Sequence, residues 1–102
     1  VKFRRNKFGA KKTVVDGRIF DSIKEAKRYK QLVLLQSAGL ISDLTCQVTF
    51  RLDVNGLLIC KYRADFVYKE KGRHVVEDVK GARTREYLLK KKLMRAVHGI
   101  DI

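Results

Sequence analysis

Two dipeptides constrain this chain more than anything else in it: Asn55-Gly56 and Lys71-Gly72. The first is the type I′ hairpin signal and the second, within the turn-like stretch 69–73, is taken as a two-residue turn, so the segments flanking each run antiparallel. The segment before the first turn alternates strictly, with Leu44, Cys46, Val48, Phe50, Leu52 and Val54 on one side and Thr45, Gln47, Thr49, Arg51 and Asp53 on the other. That period of two predicts a strand with one buried face. Leu57 to Tyr68 then returns antiparallel and His74 to Lys80 adds a third strand, giving a three-stranded meander. A further signal, Asp16-Gly17 between Thr13-Val14-Val15 and Arg18-Ile19-Phe20, predicts a small β-hairpin ahead of this core.

Lys71-Gly72 also sets a register. With these residues at the turn, the numbers of paired residues sum to 143, so Asp65 faces Asp78 and Arg63 faces Lys80. Opposed side chains share a face, and the period of two adds Lys80 to the face of Asp78. Two carboxylates about 5 Å apart repel by roughly 3 kcal/mol at an effective dielectric of about 20, so the pair calls for a cation, a basic neighbour or a shared proton. A shift of one residue would set Asp65 against Glu77 and turn Asp78 and Lys80 away. The first register is preferred because Asp78 alone shares a face with Lys80. Alternating charges on a strand are commonly a solvated face. Val75, Val76 and Val79, however, make this strand core-like, and ionised side chains there need a specific reason.

Ser22-Ile23-Lys24-Glu25 matches a capping box and starts a helix that Gly39 ends. At about 100° per residue, Ile23, Ala26, Tyr29 and Val33 form its buried stripe, whereas Lys24, Lys27, Arg28 and Gln31 point away. Glu25 falls at the margin of the stripe beside Tyr29. It serves there either as the capping-box carboxylate or as an acid reaching the edge of the sheet. A second helix spans Arg85 to His98, burying Leu89, Leu93, Ala96 and Val97 and stopping at Gly99; Ile100-Asp101-Ile102 begins a short fourth strand.

Composition bears on partners. The 102 residues include no Pro and no Gly-Ser linker, which predicts one domain, 13–102, behind a basic arm, 1–12. Twenty-four Lys and Arg against 11 Asp and Glu give a net charge of +13, spread along the chain, so the expected partner is a polyanion, best matched by nucleic acid. No apolar run approaches the roughly 18 residues of a membrane span, and the arm lacks the apolar region of a signal peptide, which predicts a cytoplasmic protein. Cys46, Cys60, His74 and His98 lack zinc-ligand spacing.

The predicted order of helix, three antiparallel strands, helix and strand, with acids on the second and third strands, resembles the core of the PD-(D/E)XK nuclease superfamily, the restriction-endonuclease-like fold. That likeness spans Ser22 to Ile102. The strings Asn6-Lys7-Phe8-Gly9-Ala10-Lys11-Lys12, Phe20-Asp21-Ser22-Ile23-Lys24-Glu25-Ala26, Ala64-Asp65-Phe66-Val67-Tyr68 and Val76-Glu77-Asp78-Val79-Lys80-Gly81 are similar to those of a small phage and prophage family of endonuclease-like proteins.

The resemblance implies an α/β (α+β) nuclease-like domain and a metal-dependent DNA endonuclease working in the cytoplasm of a bacterial host. Carried over by position, Asp65 and Asp78 match the two acidic motif residues, Lys80 the lysine two positions later, and Glu25 the helix-borne acid of many members. Asp65, Asp78 and the backbone carbonyl of Val79 would ligate Mg²⁺ or Mn²⁺, with Glu25 as a further ligand or as a holder of metal-bound water. Lys80 would orient the attacking water or stabilise charge on the phosphate, and Glu77, on the other face, would be a structural ion-pair partner. Ala64 stands where many members carry Pro, and the chain lacks the insertions by which larger members read sequence. The implied substrate is therefore a DNA shape, branched or replicating, and junction-cleaving relatives imply a homodimer. Arg4, Arg5, Lys7, Lys11, Lys12, Arg63, Arg83, Arg85, Lys90, Lys91 and Lys92 are the expected phosphate contacts. The rival reading is a non-catalytic nucleic-acid-binding protein with the same fold, against which the intact Asp65, Asp78 and Lys80 set argues.

Overall fold

A computed structural model describes residues 12–79 and 84–102. Their order is β1 (Thr13–Val15), β2 (Arg18–Phe20), α1 (Ile23–Ser37), β3 (Ser42–Val54), β4 (Leu57–Glu70), β5 (Arg73–Glu77) and α2 (Arg85–His98). The architecture is α+β: β1 and β2 make a separate hairpin, and β3, β4 and β5 make an antiparallel meander in that order.

The three turns form as their sequences require. Asp16, Asn55 and Lys71 each take φ of 51°, and the glycine after each takes 75° to 78°, the paired left-handed geometry that matches the twist of a hairpin. Both helices are capped from their own sequence. The Ser22 hydroxyl accepts from the Glu25 amide and that of Thr84 from the Tyr87 amide, while Gly99 closes α2 in a left-handed conformation with its amide on the Arg95 carbonyl.

Two apolar clusters hold these elements together. The first joins Phe20, Ala26, Tyr29, Leu32, Ile41, Phe66 and Tyr68 under α1, and the second joins Leu52, Tyr62, Ala64, Val76 and Met94 under α2. Where β4 pairs with β5, Phe66, Tyr68 and Val75 pack in the α1 cluster, while Val67 and Val76 pack in the α2 cluster. Further along β4, Ala64 and Tyr62 belong to the α2 cluster as well. Asp65 therefore sits where β4 passes from one core to the other.

Several expectations are corrected. The face of α1 is rotated: Glu25, Ala26, Tyr29 and Leu32 are buried, whereas Ile23 is 48% exposed and Val33 only half-buried. Arg28 does not point away but reaches β5. In α2 the buried residue is Met94, with Leu93 and Val97 partly covered and Leu89 and Ala96 exposed, because α2 crosses β3 and β4 on the side that His98 anchors by a 2.7 Å bond to the Arg51 carbonyl. Ile100 and Ile102 pack into the α2 cluster without pairing to the sheet, so no fourth strand forms among the described residues. The third strand ends at Glu77, short of Lys80, since the next amide that would extend it, that of Val79, is diverted to a side chain. Strict alternation in β3 is interrupted as well: Asp43 and Gln47 take φ of 55° and 54°, and Asp43-Leu44 forms an irregular step in the ladder.

Candidate functional site

The observed register of β4 and β5 is the expected one, with Phe66 opposite Glu77, Val67 opposite Val76 and Glu70 opposite Arg73. One step past the last bonded pair come Asp65 and Asp78. Asp65 is held by its neighbour across the gap, the Val79 amide donating to its Oδ2 at 2.8 Å. Asp78 is held by Tyr62, whose hydroxyl donates to Oδ2 at 2.9 Å. Alternation along β4 sets Tyr62 and Asp65 on opposite faces, so nothing in the sequence pattern pointed to Tyr62. The bond forms because Asp78 has left the regular strand.

From the other side comes α1. The cap at Ser22 fixes the first turn, and the stripe that buries Ala26 and Tyr29 carries Glu25 inward to 2% exposure. Burial pushes the Asp65 carboxyl up to about 6, the bond from Val79 works the other way, and the Glu25 and Asp78 carboxylates beside it add to the rise, Asp78 also through a shared hydrogen bond. Glu25 from α1 and Asp78 from just past β5 thus both bear on Asp65 of β4. Tyr62 is pushed upward in turn, first by burial and then by Asp78, so it remains a hydroxyl donor at any ordinary pH.

Glu77, the next residue along from Asp78, has the opposite surroundings. Arg28 grips it with two bonds, Nε to Oε1 at 2.5 Å and Nη2 to Oε2 at 3.0 Å, and the Tyr68 hydroxyl adds a third at 2.7 Å. Burial works upward on Glu77, but these bonds outweigh it and hold its carboxyl below the usual range. Glu77 is the ion-pair residue anticipated from its face, and its partner is a residue of α1.

The remaining assigned residues fall in two groups. Lys12, Arg63, Arg85, Lys91 and Lys92 are exposed, as a phosphate contact must be, whereas Lys90 is half-buried and pairs with Glu86 at 3.0 Å. Arg4, Arg5, Lys7, Lys11, Lys80 and Arg83 lie outside the described residues. One further feature escaped sequence reasoning. Gln47 stands between the pairs Cys46–Phe66 and Val48–Ala64, opposite Asp65, and its left-handed backbone breaks the ladder there. Non-glycine residues in this conformation concentrate at functional sites, and no turn dipeptide marks this one.

Among the described residues, no three His, Cys, Asp or Glu side chains form a preassembled metal cage. The donor set suits a different kind of site. Mg²⁺ prefers one or two carboxylates and keeps several waters, and crowded carboxylates with one pushed up to about 6 gain from a divalent cation. Among the described residues no helix is long and apolar enough to cross a membrane. The family described as "Protein of unknown function (DUF1064)" matches residues 5–99. No curated protein and no solved structure matches the chain.

Proposed function

The chain belongs to the DUF1064 family, whose function is unknown, and from its own residues we propose that it is a metal-dependent DNA endonuclease selective for branched or replicating DNA. One observation carries the reading: Glu25 of α1 and Asp78, just past β5, both bear on the half-buried Asp65 carboxyl of β4, itself held by the Val79 amide. Gathering like charges costs stability, and a protein that does so at the junction of its two cores needs a return for it. A basic surface with net charge +13 supplies the affinity for a phosphate backbone.

The residues divide the work. Asp65 and Asp78 would hold Mg²⁺ or Mn²⁺, aided by Glu25 and by the Val79 backbone, and the order helix, three antiparallel strands, helix resembles the PD-(D/E)XK core without its following strand. Such a metal, when bound, polarises a phosphodiester and lowers the pKa of a bound water. The Val79 amide holds Asp65 and the Tyr62 hydroxyl holds Asp78, each through Oδ2, so that both carboxylates would be positioned before a metal and a phosphate arrive. Lys80, two residues beyond Asp78, would place its ammonium by the water or by the charge growing on the phosphate. Arg63, Arg85, Lys91, Lys92 and the basic arm would hold the backbone, whether one copy acts alone or two act as a dimer.

The second reading, binding without cleavage, needs only the basic surface with its net charge of +13. Purified protein incubated with linear, nicked, flapped and four-way-junction DNA, in Mg²⁺, Mn²⁺ or EDTA, separates the two. Cleavage of the branched forms that EDTA stops is the expected result; tight binding with no cleavage in either metal establishes the rival.

A further inference from the structure

Beside the carboxylate centre, between α1 and the end of β5, lies a cleft of about 420 Å³ lined by Lys24, Lys27, Arg28, Gln31, Glu77 and Val79. Its four helical residues follow the spacing i, i+3, i+4 and i+7, which sets them in one stripe along α1. We propose that this cleft is a track for the backbone phosphates of DNA, leading the strand to Asp65.

The charges in the cleft are not equivalent. The Arg28 guanidinium is committed on three sides, with Nε and Nη2 on Glu77 and Nη1 on the Gln31 Oε1 at 3.1 Å, so it forms the floor and its charge cancels the one carboxylate of the lining. Lys24 and Lys27 are exposed, and neither pairs with a carboxylate of the described residues. The cleft therefore presents two uncompensated ammonium groups above a neutralised floor. Its volume lies near the low end of ligand pockets, roughly 300–1,000 Å³, enough for a phosphate and its sugar but not for the width of a duplex. Two lysines about one helical turn apart match successive phosphates better than a single compact anion.

The far wall of the cleft gives it direction. Val79 lines it, and the Val79 amide is the group that holds Asp65. A phosphate seated between Lys27 and Val79 is thus one residue from the carboxylate centre, and the strand continues toward it. This rests on the nuclease reading for what happens at Asp65, but the binding step stands apart from it.

The test exploits that separation. Binding of a fluorescein-labelled flap DNA is measured by anisotropy in EDTA, across a salt series, for wild type, K24A/K27A and the charge-matched pair K91A/K92A on α2. The proposal expects K24A/K27A to weaken binding about tenfold and to lower the salt slope by about 1 to 2, more than K91A/K92A does. Equal losses in the two pairs, or a larger loss in K91A/K92A, mean that the chain attracts DNA by its overall charge, and the track is overturned; wild type that fails to bind overturns it too. Cleavage in Mg²⁺ is then read separately. Groove-dependent binding with no cleavage leaves the track standing and removes the nuclease reading, while cleavage insensitive to K24A/K27A does the reverse. Both lysines are exposed helix residues and Ala is a strong helix former, so the melting temperature should stay within a few degrees of wild type.

Discussion

Glu77 and Asp78 are neighbours in sequence and opposites in circumstance. Each accepts a tyrosine hydroxyl, but Glu77 is also met by a guanidinium and is more acidic than an ordinary glutamate, whereas Asp78 stands beside Asp65, a second carboxyl that the buried Glu25 also affects. One carboxylate is spent on holding α1 to the sheet. The other takes the Tyr62 hydroxyl and lies beside Asp65, whose carboxyl its charge helps to push upward. Adjacent acids of one strand end thus do different work: Glu77 fastens α1 to the sheet through Arg28, and Asp78 faces the Asp65 carboxyl.

The largest effect is expected on the Asp78 side. Asp78→Asn should reduce DNA cleavage at least a hundredfold while leaving anisotropy-measured binding unchanged or slightly tighter, since it removes a hard oxygen ligand and a negative charge near the phosphate. Turnover at the wild-type rate would take Asp78 out of the mechanism. Glu25→Gln sharpens the contrast, because Gln keeps the capping role but is a poor ligand for a hard cation. Cleavage should fall well beyond tenfold with the melting temperature held or raised, and a normal rate would restrict Glu25 to the cap.

The pH dependence of stability runs in opposite directions on the two sides. Asp65 is raised to about 6, so its ionisation opposes folding: its contribution is most favourable while it is protonated and is lost as pH climbs from about 4 through 6. Asp65→Asn should therefore melt higher than wild type at pH 7 and show no such loss. Mg²⁺ should raise the wild-type melting temperature above pH 6 and leave the variant unmoved. Glu77 is lowered, so its contribution is present above the ordinary glutamate pKa and is lost as pH falls through the folded value.

Glu77→Gln is the smallest of these effects and a purely structural one. It should cost about 1 to 2 kcal/mol by chemical denaturation at neutral pH, flatten the acid limb of the stability curve, and leave the metal-induced shift intact. If it also removed the metal response, the two faces would not be independent.

How much of this was legible follows from which forces act locally. The register that brings Asp65 to Asp78 was readable because it depends on two adjacent residues, Lys71 and Gly72, whose backbone angles the turn dictates. The helix limits were readable from Ser22, Gly39 and Gly99 for the same reason. The face of α1 was not, because hydrophobicity alone favoured Ile23, whereas the packing of α1 on β1, β2 and β3 buries Leu32 and takes Glu25 inward. Tyr62 as partner of Asp78, the backbone of Gln47 and the grip of Arg28 on Glu77 each depend on chain segments that meet only in three dimensions.

The Arg28–Glu77 pair joins positions 49 residues apart, while each strand pairing among the described residues is closed by a two-residue turn. Hairpins form in microseconds, and contacts of long sequence separation wait on them. The meander is therefore expected to zip before α1 docks, and since only that docking brings Glu25 to Asp65, the like charges would meet late in folding and part early in unfolding. Native-state hydrogen exchange would register this order as a Val79 amide that opens at lower free energy than the amides of the β3–β4 ladder.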